Sequence, residues 1–107
     1  MNQLDQLTEL AADCLGAAWV DTRTGQVLEQ RLCSDDPALL PALQSAAAVV
    51  SERSHLSQLV LFHEAKFEVV ARAGQDPKRV LVASFPTSAN LGLAVNVARF
   101  LAAGGQS

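Results

Sequence analysis

The most constraining feature of the sequence is its closing apolar segment, FPTSANLGLAVNVARFL, at residues 85–101. Read as a helix that begins near Ser88, it interrupts its apolar surface only at Gly92, Asn96 and Arg99. A helix that rests on one sheet needs an apolar stripe of roughly 100°, and this arc is about twice as wide. We therefore predict that the helix packs against a sheet and also against a second element. Its apolar residues are Leu91, Leu93, Ala94, Val95, Val97, Ala98, Phe100, Leu101 and Ala102.

Length and composition limit what the chain can be. Its 107 residues suit a single domain at 1–107, and a sequence that is half hydrophobic and only 18% charged is not disordered. A net charge of −3, one Trp and no Tyr give nucleic acid little to bind. Residues 1–13 contain three acids and no base, unlike a signal peptide, and no apolar run approaches the roughly 20 residues of a membrane span. We expect a cytoplasmic protein with no nucleic-acid partner and no membrane span.

Hydrophobic periodicity predicts three helices and five strands. The strand at 15–20 is apolar on both faces and should be interior, whereas the strand at 26–32 is polar and should lie at an edge. Asp36 is predicted as the N-cap of the middle helix, with Pro37 at its first position. Pro41 sits one turn in, so either the first turn is irregular or the helix effectively begins there. The predicted order is helix 2–14, strand 15–20, strand 26–32, helix 37–53, strands 55–65, 66–73 and 78–86, and the last helix.

Helices must cover both faces of such a sheet. The wide arc of the last helix needs a second neighbour, so we place the first helix beside it and the middle helix on the opposite face. The predicted fold is α+β, α-β-β-α-β-β-β-α, with a five-stranded antiparallel sheet in the order 2-1-5-4-3. The third strand then forms a long apolar edge, at Leu56 to Phe62.

The sequence lacks the common phosphate-binding, zinc-protease and nucleophile-elbow motifs. His55 and His63 stand eight residues apart on one strand, too far apart to chelate one metal, and His63 and Glu64 should point to opposite faces. We interpret both histidines as surface residues. No enzyme activity, metal or cofactor is predicted.

The remaining reactive groups also have structural interpretations. Cys14 and Cys33 have no Lys or His beside them to lower the thiol pKa, so both are interpreted as structural thiols. Arg72, Lys78 and Arg79 form a small basic cluster near one loop, which we interpret as solvated rather than as a contact for an acidic partner.

The middle helix and the third strand form the candidate partner surface. Ala38, Ala42 and Val49 make a line of small residues that permits close approach of another backbone. The alternative is that these residues are merely tolerated at the surface and that a loop shields the strand. Pairing the strand with its twofold copy would continue the sheet and remove the exposed edge, so a homodimer is favoured. The candidate residues are Ala38, Ala42, Leu43, Ala46, Ala47, Val49, Val50, Leu56, Gln58 and Val60.

The element order and two segments, LGAAWVDTRTGQVL at 15–28 and SANLGLAVNVARFL at 88–101, resemble the Roadblock / dynein light chain domain family, in a prokaryotic form. The matching positions are Gly16, Ala17, Asp21 and Gly25, and then Asn90, Leu91 and Gly92. The resemblance implies a profilin-like fold and dimers formed through the middle helix and third strand. It also implies a non-enzymatic adaptor that binds a Ras-like small GTPase.

Two other functions stay open. A profilin-like small-molecule sensor would hold its ligand between sheet and helix and predicts an internal cavity near Trp19, although the alanine-rich core suggests close packing. A minor enzyme would use Cys14 or His63. Gly92 either permits a close approach, so that a bulky replacement costs about 1 to 3 kcal/mol, or faces solvent and tolerates replacement.

Overall fold

The computed structural model describes residues 3–53 and 55–104. Within this part of the chain, no helix is long and apolar enough to cross a membrane. The predicted start of the first helix at residue 2 lies outside the described residues. The elements are α1 (Gln3–Leu10), β1 (Gly16–Asp21), β2 (Val27–Leu32), α2 (Leu39–Ser51), β3 (Gln58–Phe62), β4 (Lys66–Arg72), β5 (Arg79–Pro86) and α3 (Leu91–Ala102).

The five strands form one sheet in the order β2-β1-β5-β4-β3, and every neighbouring pair is antiparallel. This confirms the predicted order. The three interior strands β1, β5 and β4 are buried along almost their whole length, whereas β2 is exposed. Strands with apolar residues on both faces are covered on both sides, which is why the sequence pattern located the interior strands correctly.

Helices cover both faces of the sheet, as predicted for the α+β fold. On one face, Leu4 and Leu7 of α1 and Ala98 and Leu101 of α3 share a core with Trp19. On the other face, α2 is the one helix of the described residues that packs on the sheet. Its core residues are Leu39, Leu43, Ala46, Ala47 and Val50, which meet Ala18, Val20, Val70, Val80 and Val82.

The start of α2 differs from the prediction. The helix begins at Leu39, its N-cap is Ala38, and no side chain caps it. Asp36 is therefore not the N-cap; its Oδ1 instead accepts a hydrogen bond of 2.9 Å from the amide of Ala38 in the preceding turn. Pro41 is the third residue of α2, where the backbone amide has no intrahelical partner, so the missing N–H costs nothing there.

The start of α3 also lies later than predicted. β5 runs to Pro86, a turn follows, and Asn90, two residues after the predicted start near Ser88, caps the helix by accepting a hydrogen bond of 3.0 Å from the amide of Leu93. As predicted, α3 packs against the sheet and against α1, although Leu93 and Phe100 on its flank are 46% and 48% exposed. The helix α1 ends at Leu10 rather than at residue 14.

Two glycines of the resemblance have defined roles. Gly25 adopts φ = +75° in the β1–β2 turn, where its amide donates to the carbonyl of Asp21 at 2.8 Å. Gly16 is a site of close packing, because a Cβ there would lie 2.8 Å from Cδ2 of Leu39 and 3.2 Å from Cδ2 of Leu32. Gly92, by contrast, is exposed and meets only the Asn90 side chain, at 3.4 Å. Its replacement should therefore be tolerated.

Candidate partner-binding surface

The helix α2 has no charged residue in its thirteen positions, LLPALQSAAAVVS. A helix on the surface of a globular protein normally carries charged side chains opposite its buried stripe. Pro41, Gln44, Ser45 and Ala48 are exposed, yet all are small or neutral. An exposed helix surface without charge is typical of a surface that meets a partner.

The candidate residues on α2 divide by burial. Leu43, Ala46, Ala47 and Val50 are at most 2% exposed and hold the helix on the sheet. They contribute to a partner surface only by positioning the accessible residues of α2 beside them. Ala38 is exposed, and Ala42 and Val49 are half-buried, so the small-residue line remains accessible.

The accessible line lies on the flank of α2 that faces β3. At 100° per residue, positions 38, 42, 45 and 49 fall within a narrow stripe, which we call the small-residue stripe. Gln44 points to the other flank, where its Nε2 donates to the carbonyl of Gly25 in the β1–β2 turn at 3.3 Å. Because β3 and β2 form opposite edges of the sheet, the small-residue stripe adjoins the β3 edge. Ser45 belongs to this stripe and was missed by sequence reasoning, since its spacing becomes informative only once the other flank is known.

The β3 edge offers unpaired backbone groups. The amide of His63 donates to the carbonyl of Lys66, and the amide of Arg72 donates to the carbonyl of Ser57, both at 2.8 Å. In an antiparallel pair the backbone groups of successive residues alternate between the two sides of a strand. The groups of Gln58, Val60 and Phe62 therefore point away from the sheet.

The edge strand is shorter than predicted, spanning Gln58–Phe62 rather than 55–65. Leu56 precedes it, and the turn at Glu64 and Ala65 ends it. The side chain of Val60 packs toward the α1/α3 face, whereas Leu59 and Leu61 pack toward α2. Phe62 is 66% exposed, and the strand contains no Lys or Pro, the residues that usually protect an edge.

Arg72 fixes α2 and β3 relative to each other. Its Nη2 donates to the carbonyl of Val50 at 3.0 Å, its Nε to the carbonyl of Leu56 at 3.1 Å, and its Nη1 to the carbonyl of Pro77 at 2.9 Å. A cation at a helix C-terminus is favoured by the helix dipole. The small-residue stripe and the β3 edge are therefore held together as one surface.

A buried carboxylate lies at the other end of this face. Glu68 is 1% exposed, and His63 bonds to its Oε1 across the β3–β4 hairpin. Its Oε2 lies 3.4 Å from Oγ of Ser84 and 3.8 Å from Nζ of Lys66. The interpretation of His63 as a plain surface residue was therefore incomplete: Glu64 does not pair with it, but Glu68 does. An acid within the apolar run at 67–71 was the sequence signal for this contact.

These groups do not form a nucleophile and base. The hydroxyl of Ser84 is buried and contacts a carboxylate, while His63 contacts that same carboxylate and not a hydroxyl. Burial raises the pKa of the Cys14 thiol to about 12, so it stays protonated at neutral pH, and Cys33 is exposed and unpaired. In residues 3–53 and 55–104, no three His, Cys, Asp or Glu residues are grouped to hold a metal.

The predicted basic cluster is divided between the two faces of the sheet. Arg72 caps α2, whereas Arg79 lies over the ring of Trp19, with its Cζ 4.6 Å from the ring centroid. Lys78 is exposed between them. Beside Arg79 is a cleft of about 120 Å³, which we call the Trp19–Arg79 cleft. Its lining includes Gln3, Trp19, Gln75, Asp76, Arg79 and Gly104.

Comparison with known proteins gives matches in structure. Neither a family model nor a curated protein matches the sequence. An MglB with a tetrameric arrangement is similar with a TM-score of 0.75 and 19% identity, over 95% of this chain and 81% of that one. MglB of Myxococcus xanthus is similar with a TM-score of 0.71 and 17% identity, over 89% and 81%.

The Roadblock/LC7 domain from Streptomyces avermitilis is similar with a TM-score of 0.70 and 15% identity, over 95% of this chain and 90% of that one. These matches extend over nearly the whole described chain and over most of each neighbour. The fold implied by the sequence resemblance is therefore confirmed: the chain has the fold of the Roadblock/LC7 domain.

Proposed function

We propose that this protein is a non-enzymatic dimeric adaptor that binds a Ras-like small GTPase. The observation that carries the proposal is the uncharged surface formed by α2 and the β3 edge. The fold shared with MglB and Roadblock/LC7 proteins and the sequence resemblance support the same role. The adaptor acts by presenting a shaped surface, and it supplies no catalytic group of its own.

The dimer forms by antiparallel pairing of two β3 strands about a twofold axis near Val60. In this register Val60 faces its own copy, and Gln58 of one chain faces Phe62 of the other. All the outward backbone groups of β3 then find partners. The two α2 helices approach through their small-residue stripes, and together they present one continuous surface to the GTPase.

Two matched proline substitutions test the strand pairing. Gln58→Pro removes an outward N–H of β3, and an edge strand tolerates proline at its first residue. Gln30→Pro removes the equivalent N–H of β2. The amide of Cys33 donates to the carbonyl of Leu15 and so faces β1; Gln30 lies three residues away, an odd number, and its N–H therefore points outward. Sedimentation should give twice the 11.3 kDa chain mass for the parent and Gln30→Pro, and the chain mass for Gln58→Pro. A monomeric parent, or a dimer that survives Gln58→Pro, contradicts the pairing.

A second matched pair tests the helix. Ser45→Glu places a charge in the small-residue stripe, whereas Gln44→Glu adds the same charge on the other flank. We expect only Ser45→Glu to weaken dimerisation, because two copies of the charge meet at the twofold axis. Equal effects of both substitutions would show that the stripe is not the contact.

The GTPase partner is tested by affinity capture from cells of the source organism, followed by identification of the captured proteins. We expect a Ras-like GTPase whose capture is lost with Gln58→Pro and retained with Gln30→Pro. Capture without any GTPase, together with a monomeric mass, would overturn the adaptor proposal.

A further inference from the structure

The Trp19–Arg79 cleft contains a cation that lacks its usual partner. The Nε of Arg79 is buried and has no hydrogen-bond partner among the described residues. The ion pairs found among those residues do not include Arg79. The Cζ of Arg79 lies over the ring of Trp19, which holds the guanidinium in place by a cation–π contact.

An oriented guanidinium has a defined preference. Its planar fork of N–H groups matches the two oxygens of a carboxylate, which it binds through two parallel hydrogen bonds. No hydrogen bond or ion pair found among the described residues involves the guanidinium of Arg79, and because its Nε is buried, a ligand in the cleft meets the Nη groups. The cleft therefore has the donor geometry of a carboxylate site.

Other groups around the cleft favour a positive charge. Asp76 lines it, and one oxygen of its carboxylate accepts a hydrogen bond of 3.1 Å from the amide of Lys78. The C-terminus of α3 forms another part of the wall, at Ala102 and Gly104, and helix C-termini attract cations. A simple carboxylate would meet repulsion from Asp76, whereas a zwitterion would place an ammonium group there.

The size of the cleft limits the ligand. The cleft has a volume of about 120 Å³. Pockets for drug-sized ligands or nucleotides begin at about 300 Å³. We propose that the Trp19–Arg79 cleft binds a small α-amino acid, with Arg79 on its carboxylate and Asp76 on its ammonium group. This site lies on the face opposite α2 and is independent of the adaptor role.

The chain contains one tryptophan, so its fluorescence reports directly on the cleft. The full chain is titrated with glycine, alanine and serine, with acetate and propionate as carboxylates, and with ethylamine as an amine. We expect a saturable change with at least one amino acid, binding of the carboxylates weaker by about tenfold, and no change with ethylamine. The absence of a saturable change with all three amino acids overturns the proposal.

Variants then assign the groups. Arg79→Met keeps an apolar stem over Trp19, and Arg79→Lys keeps the charge but removes the fork; each should weaken amino-acid binding by about 10- to 100-fold. Lys78→Met removes the same charge from an exposed neighbour and should bind as the parent does. Circular dichroism checks that each variant is folded. If Arg79→Met is unfolded, Arg79→Lys provides the test of the Arg79 side chain. Parent-like binding by either folded Arg79 variant overturns the proposal.

Asp76→Asn keeps the side-chain oxygen that bonds to the Lys78 amide. It should remove the preference for an amino acid over acetate, because it removes the partner of the ammonium group and also the repulsion that weakens acetate binding. An unchanged preference would show that Asp76 does not hold the ammonium group and would overturn the assignment of a zwitterionic ligand.

Discussion

Gly16 carries the closest packing among the family-like glycines, and its replacement gives a quantitative test of the fold. In Gly16→Ala the new Cβ would lie 2.8 Å from Cδ2 of Leu39 and 3.3 Å from the carbonyl oxygen of Arg31. Leu39 is only 2% exposed, so its methyl group has little room to move. Overpacking of this kind costs about 1 to 3 kcal/mol, and the stiffer unfolded chain returns about 0.4 to 1 kcal/mol. We expect a net loss of about 1 to 2 kcal/mol.

The matched control is Gly92→Ala. Its Cβ would meet only Oδ1 of Asn90, at 3.4 Å, and alanine is the better helix former, so a gain of up to about 1 kcal/mol is expected. Urea unfolding gives the free energies, and thermal unfolding should lower the midpoint of Gly16→Ala by about 4 to 9 °C for a domain of this size. If Gly16→Ala is as stable as the parent, or if Gly92→Ala is less stable than the parent, the packing described at β1 and α2 is wrong.

Three further predictions concern named contacts. The Cys14 thiol has a raised pKa in the folded chain, so as the pH rises the thiol loses its proton first in the unfolded chain. The free energy of unfolding should therefore fall from about pH 9 upward, by up to about 1.4 kcal/mol per pH unit. In urea unfolding at about pH 8 to 10, Cys14→Ala should remove this fall and Cys33→Ala should keep it. Arg72→Lys should cost about 1 to 3 kcal/mol, because an ammonium cannot reach the carbonyls of three segments at once; a parent-like unfolding midpoint would contradict this. Asn90→Ala removes the cap of α3 and should cost about 1 kcal/mol, while Asn96→Ala at an exposed helix position should be neutral; equal midpoints for both would argue against the cap.

The strand order could be predicted because the burial of each strand is reflected in which of its residues are apolar. β1 and β5 carry apolar residues on both faces and so had to be interior, while the polar β2 had to be an edge. Helix starts were less accurate: Asp36 was predicted as the N-cap of α2, and α3 was predicted to begin near Ser88. In the structure, the path of the chain in the preceding turns places Ala38 and Asn90 at the N-cap positions.

The partner surface was predicted in part. Sequence spacing selected α2 and β3 and set the line of Ala38, Ala42 and Val49 apart from the core face of the helix. The candidate surface nevertheless included Leu43, Ala46, Ala47 and Val50, which are buried and bind the helix to the sheet. The dimer itself stays a prediction.

By itself the sequence determined the number, type and order of the elements, because hydrophobic period and turn residues are local properties of the chain. Tertiary structure alone decided which long-range groups meet: His63 with Glu68 across a hairpin, Arg72 with the end of α2, and Arg79 with Trp19. Such pairs depend on strand register, and a shift of one residue sends every side chain to the other face. The basic residues that seemed one cluster in sequence were divided between two faces for this reason.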